Sequence, residues 1–141
     1  MTGYNNADIA AQGAFDRLAE VGFAALTEPE KTLASAWLFV GKVANGGFRS
    51  FFSGPAGDMA FYVPTALKTI GADKMAAIAA QANGAFGAKG PPRDRSERRK
   101  LVRAFSKDIS KQLEALESSF YKCADDVDAL LEQYLKQKGA A

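Results

Sequence analysis

Carboxylates and cations are the only abundant groups in this chain that could move a proton or grip a charged partner. The 141 residues include no histidine and a single cysteine, Cys123. That composition excludes an internal disulfide, a thiolate or imidazole metal cage, and every histidine-dependent triad or cysteine–histidine dyad. Asp125, Asp126 and Asp128 set three carboxylates close together, a spacing that could serve acid–base work or cation binding. They also stand where a helix begins, and capping accounts for them. An enzyme would have to be assembled from Asp, Glu, Lys, Tyr or Ser, and no convergent set of these is legible. The expectation is a non-enzymatic protein with no metal and no other cofactor.

The cations are unevenly spread. Residues 89–111 carry nine Lys/Arg against three Asp/Glu, residues 112–141 carry three against six, and the net charge is +2. On a helix Arg95, Arg99, Arg103, Lys107 and Lys111 form a ladder four residues apart, flanked by Arg93, Arg98 and Lys100. Like charges at that spacing repel slightly, so the ladder gains most from a partner of opposite sign. Three readings follow: a solvated basic face, a protein-binding surface around Arg95, Arg98, Arg99, Arg103 and Lys107, or contact with nucleic-acid phosphates. Base-stacking aromatics are not interleaved with the ladder apart from Phe105, which the core claims. The chain's own acidic end, with Glu114, Glu117, Asp125, Asp126, Asp128 and Glu132, offers an internal counter-charge.

Helices must position these groups. No segment alternates with the period of a strand, and the apolar residues recur at helical spacing throughout. Asn5 or Asn6 caps a first helix whose apolar side is Ile9, Phe15, Leu18 and Val21. Thr27 and Glu30 have the capping-box spacing, with Pro29 in the first turn, and open a second helix through Leu33, Trp37, Val40 and Val43. That helix is expected to stop at Asn45-Gly46-Gly47. Phe48, Phe51 and Phe52 then plug the core, and Gly57 and Asp58 close a fold-defining corner, with Asp58 capping a third helix. Pro64 predicts a late start or a kink there, and Gly71 and Asp73 predict a stop and a new cap.

A loop is expected at about 87–93, where glycine and proline gather. Residues 94–123 form one long helix or two with a break near Ser106, on a face of Leu101, Phe105, Ile109, Leu113, Leu116, Phe120 and Cys123. Asp125 or Asp126 caps the last helix. The prediction is an all-α bundle of six or seven helices in a single domain, 1–141. No apolar run is long enough to span a membrane, and the N-terminus lacks a basic start and apolar stretch, so the expected compartment is the cytoplasm.

Several elements occur in a recognisable order. They are Thr27-Glu28-Pro29-Glu30, Ala44-Asn45-Gly46-Gly47-Phe48 with Phe51-Phe52, and Gly57-Asp58. Further on come Ala66 to Ala72, Arg98-Arg99, and Leu116-Glu117-Ser118-Ser119-Phe120-Tyr121. Over roughly residues 25–135 the chain resembles the bacterial DNA-mimic-protein family founded on DNA mimic protein nineteen. The resemblance implies an all-helical, often dimeric domain. In the founding member, an acidic surface imitates DNA phosphates and occupies a transcription factor. Such mimicry requires a surplus of carboxylates, whereas here 18 Lys/Arg face 16 Asp/Glu. An acidic mimic face would therefore be confined to Glu114, Glu117, Asp125, Asp126 and Asp128. The leading expectation is a protein-binding homodimer, with a DNA-binding protein among its candidate partners. Nucleic-acid binding through residues 93–111 and mimicry by the acidic C-terminal third are the alternatives.

Overall fold

The computed structural model describes residues 5–138, so the ends of the expected 1–141 domain lie outside the described residues. Seven α-helices and no strand occur among the described residues. They are α1 (Asn6–Val21), α2 (Glu28–Ser53), α3 (Val63–Thr69), α4 (Asp73–Asn83), α5 (Arg95–Arg103), α6 (Lys107–Lys122) and α7 (Val127–Gln137). The central element is α2, which packs against α1, α3, α5, α6 and α7.

Local signals set most helix ends. Asn5 and Asp8 form a capping box on α1, and Thr27 and Glu30 form another on α2. Ser106 caps α6 through the Ile109 N–H, and Asp126 caps α7 through that of Ala129. The basic stretch is thus two helices, α5 and α6, turning at Ala104–Ser106.

Several expectations need correction. The second helix does not end at Asn45-Gly46-Gly47: it bends at Gly47 (φ 78°, ψ −178°) and resumes at once. That backbone region is reserved almost entirely for glycine. Asp58 does not cap α3; it lies in a 3-10 turn, Pro55–Met59, and α3 starts later with Pro64 in its first turn. Asp73 does not cap α4, whose N-cap residue Ala72 has no side-chain oxygen to offer. Leu101 is 41% exposed, because the turn before α6 interrupts the continuous face. Val102 and Arg98 point inward from α5 in its place.

The contact face of α1 also differs from the one expected. Ala7, Ala11 and Ala14 are buried, while Ile9 is 63% and Val21 41% exposed. Three alanines on one stripe bring α1 close to α2, a geometry that larger side chains would prevent. The core proper is aromatic. Phe39 meets Phe51 at 5.2 Å edge-on and Phe120 at 6.0 Å, and Phe52 meets Phe86 at 4.8 Å, all in T-shaped pairs.

Candidate functional site

The predicted partner-binding arginines are where the structure departs furthest from expectation. Arg98 is fully buried, so it is not a surface residue. All five of its N–H donors are used. Nε donates to the Phe52 carbonyl at 2.5 Å, Nη1 to those of Pro92 and Arg93 at 3.0 and 3.1 Å, and Nη2 to Gly54 at 2.9 Å and Asp58 Oδ1 at 2.7 Å. Arg95 forks onto Asp58, Nε to Oδ1 at 3.3 Å and Nη2 to Oδ2 at 2.7 Å. Arg99 Nε donates to the Ser53 carbonyl at 2.7 Å.

The carbonyls of Phe52, Ser53 and Gly54 close the last turn of α2, where a helix leaves acceptors without intrahelical donors. Cations at a helix C-terminus also meet the negative end of its dipole. α5 therefore serves as a C-terminal cap for α2. Gly57 is required by the same approach: a Cβ there would sit 2.7 Å from the Phe51 carbonyl oxygen and 2.9 Å from Arg98 Nε. Burial pushes the Asp58 carboxyl up, but the hydrogen bonds from Arg95 and Arg98 outweigh it and hold it below the usual carboxylate range.

The predicted acidic mimic face is dispersed in a similar way. Glu117 Oε2 accepts from the Phe48 N–H at 2.9 Å, capping the part of α2 that follows the Gly47 bend. Tyr121 Oη donates to the Ala44 carbonyl at 3.0 Å, on the other side of that bend. Asp125 Oδ2 accepts from the Met75 N–H at 2.9 Å and so supplies the cap that α4 lacks locally. Glu132, not among the predicted site residues, accepts from the Ala7 N–H at 2.6 Å in the first turn of α1. Asp126 caps its own helix. Glu114 and Asp128 are the exposed carboxylates left from the predicted set. Asp128 nevertheless lines a hollow beside α1 and α2, and its partial desolvation there, with help from nearby Asp8 and Asp126, pushes its carboxyl up.

The uneven charge of the sequence thereby finds an internal explanation. Basic side chains of α5 meet the C-terminal end of α2, and acidic side chains of α6 and α7 and the segment between them meet helix N-termini. On α5 and α6, Lys100, Arg103, Lys107 and Lys111 remain exposed and meet no helix end. Among the described residues none of these four forms an ion pair.

Two neighbouring hollows provide the concave surface. The first, about 540 Å³, lies between α1, the Phe23–Ala25 turn and the Pro55–Met59 turn; Phe15, Leu18, Phe23, Met59 and Phe61 supply its apolar wall. The second, about 690 Å³, lies between α1 and α2 and is lined by Trp37 and Val40 among others. Phe15 and Pro55 line both, so the two form one groove. Trp37 is half-buried, and its Nε1 donates to Asp8 Oδ1 at 2.8 Å.

Sequence reasoning missed this groove. The residues were visible, but nothing local indicates that two turns far apart in sequence meet. Among the described residues no cluster of His, Cys, Asp and Glu could hold a metal ion, and no helix is long and apolar enough to cross a membrane.

A family model described as DMP19-like protein matches residues 24–138, from just beyond α1 to the end of α7. No curated protein and no solved structure matches the chain.

Proposed function

The chain belongs to the family of DMP19-like proteins, and from that membership we propose that it is a non-enzymatic domain that acts by binding another protein. One observation carries the reading: the groove running past Phe15 and Pro55 has an apolar floor and a charged rim. Such a surface recognises a partner by shape and charge and needs no reacting group. The two carboxylates lining it, Asp58 and Asp128, belong to different hollows, and Asp58 is occupied by two arginines.

A second copy of this chain and a DNA-binding protein are the partners that the DNA-mimic resemblance favours, and the expected cytoplasmic setting belongs to the same proposal. Mimicry by the acidic third is less favoured, because Glu117, Asp125 and Asp126 already accept hydrogen bonds from backbone N–H groups. Weak nucleic-acid binding keeps one supporting feature, the exposed Lys100, Arg103, Lys107 and Lys111, which form no ion pair among the described residues. Titration of labelled DNA and RNA at two salt concentrations tests it: affinity should fall steeply with salt, and no binding at low salt removes it.

Photo-crosslinking in the source cells tests the main reading. A photoreactive residue at Gln12 or Ala24, both exposed on the groove, should yield a protein adduct of defined mass. The same residue at the exposed Lys74 on α4 should not. Equal adducts at all three positions, or none in the groove, would contradict it.

A further inference from the structure

Arg93 stands at the mouth of the first hollow with its guanidinium carbon 3.7 Å from the centre of the Phe61 ring and 5.7 Å from that of Phe23. The two rings meet edge-on at 5.2 Å, so the cation rests on an aromatic shelf. Among the described residues its guanidinium forms no ion pair. Its backbone is nevertheless fixed, because its carbonyl accepts from the buried Arg98 at 3.1 Å. Nearby cations differ: Arg95 forks onto Asp58, and Lys31 lies 3.6 Å from Glu28.

A stacked guanidinium keeps its planar edge free, and that edge matches a carboxylate through two parallel N–H bonds. Beneath it lies an apolar hollow of about 540 Å³, enough for a large side chain. Phe61 is 38% exposed despite its size, as an unfilled aromatic wall would be. The charged residues lining the hollow are Arg93, Arg95 and Asp58, and Asp58 is already held by Arg95 and the buried Arg98, so Arg93 meets no counter-charge there. The groove continues past Phe15 and Pro55 into the second hollow, so a chain segment can lie along it.

We propose that Arg93 on its Phe61–Phe23 shelf, with the hollow below, is a docking site for a partner-protein segment that presents a carboxylate beside a large apolar side chain. The carboxylate would take the Arg93 fork, and the apolar side chain would enter between Phe15 and Met59. The proposal rests on the groove being a protein-binding surface, and it names the chemistry of what binds there.

Selection of a random peptide display library on the purified full chain tests it. Enriched sequences should place Asp or Glu next to an aromatic or large aliphatic residue. A fluorescein-labelled peptide from that set should bind Arg93→Ala at least about tenfold more weakly, the loss that one charge-assisted contact represents. Arg93→Lys should recover only part of the affinity, because an ammonium keeps the charge without the planar fork. Arg103→Ala should bind as the parent does. Circular dichroism of each variant separates lost binding from lost folding. Enrichment of peptides without acidic residues, or unchanged binding to Arg93→Ala, would overturn the proposal. So would dodecanoate binding that depends on Arg93 while no peptide binds, because the occupant would then be a small amphipathic acid. Were the adducts at positions 12 and 24 to persist while acidic peptides failed, the groove would remain a protein surface and this assignment alone would fall.

Discussion

The two ends of the short helical piece after Gly47 are held in different ways. At its start a single carboxylate, Glu117, accepts from the Phe48 N–H near the protein surface. At its end a fully buried arginine uses five donors at once, and a second arginine shares its aspartate. One is a cap of the ordinary kind, placed by a residue far away in sequence. The other is a desolvated charge whose loss would leave buried carbonyls and half of a carboxylate without partners. Polar contacts of similar length therefore differ several-fold in what they hold together, according to burial and the number of groups left unpaired.

The largest expected effect is at the buried end. Arg98→Met should destabilise the fold by about 3–5 kcal/mol, the range for breaking a buried ion pair by removing one partner. Equilibrium denaturation in urea measures it. Arg98→Lys should recover little, because three donors on a mobile stem cannot reach the acceptors that five now serve. A loss below about 1 kcal/mol in either variant would place the two ends on equal terms.

Next come the glycines. Gly57→Ala should cost about 1–3 kcal/mol, because the new Cβ meets backbone oxygens that cannot move aside. Gly47→Ala should cost a similar 1–3 kcal/mol from backbone strain, with its Cβ also 2.5 Å from Glu117 Oε2. Smaller still, Glu117→Ala and Asp125→Ala should each cost about 1 kcal/mol, the usual value of one helix cap. Their effects should add, since they serve different helices.

Acid titration sharpens the comparison through opposite signs. The Asp58 carboxyl is held below its ordinary value of 3.8. Its contribution is complete above that value and is lost as the pH falls through the lower folded one. Asp128 is pushed above 3.8, so the folded chain binds that proton more readily than the unfolded chain does. Acidification through its folded pKa therefore stabilises. Asp128→Asn should raise the melting temperature at neutral pH, with an advantage that shrinks on acidification. Asp58→Asn should lower it at neutral pH and flatten the acid limb.

Local signals were enough for most of the fold. Thr27 with Glu30 is readable as written, while Asn5 against Asn6, a break or none at Ser106, and Asp126 against Asp125 narrow to two options each, because these caps act within three residues of their own position. The bend at Gly47 was half legible. Two glycines announce a break, but a helix can resume immediately only if the freed groups find partners, and those come from Glu117 and Tyr121 on α6. The arginines misled for a related reason. A ladder at four-residue spacing looks like a solvated face until the carbonyls at the end of α2 are brought against it. Long-range capping has no period and no motif. The groove was hidden too, because Phe23, Phe61 and Arg93 come together only through the packing of two turns.

The account depends most on Arg98 being an internal cap rather than a surface cation. Nitrogen-15 NMR of the side-chain guanidinium groups at neutral pH reads this directly, through the exchange of their N–H protons with water. The account predicts a guanidinium whose protons are resolved and slow to exchange, lost in Arg98→Lys, while those of the exposed Arg103 exchange quickly. Fast exchange at every arginine would contradict it.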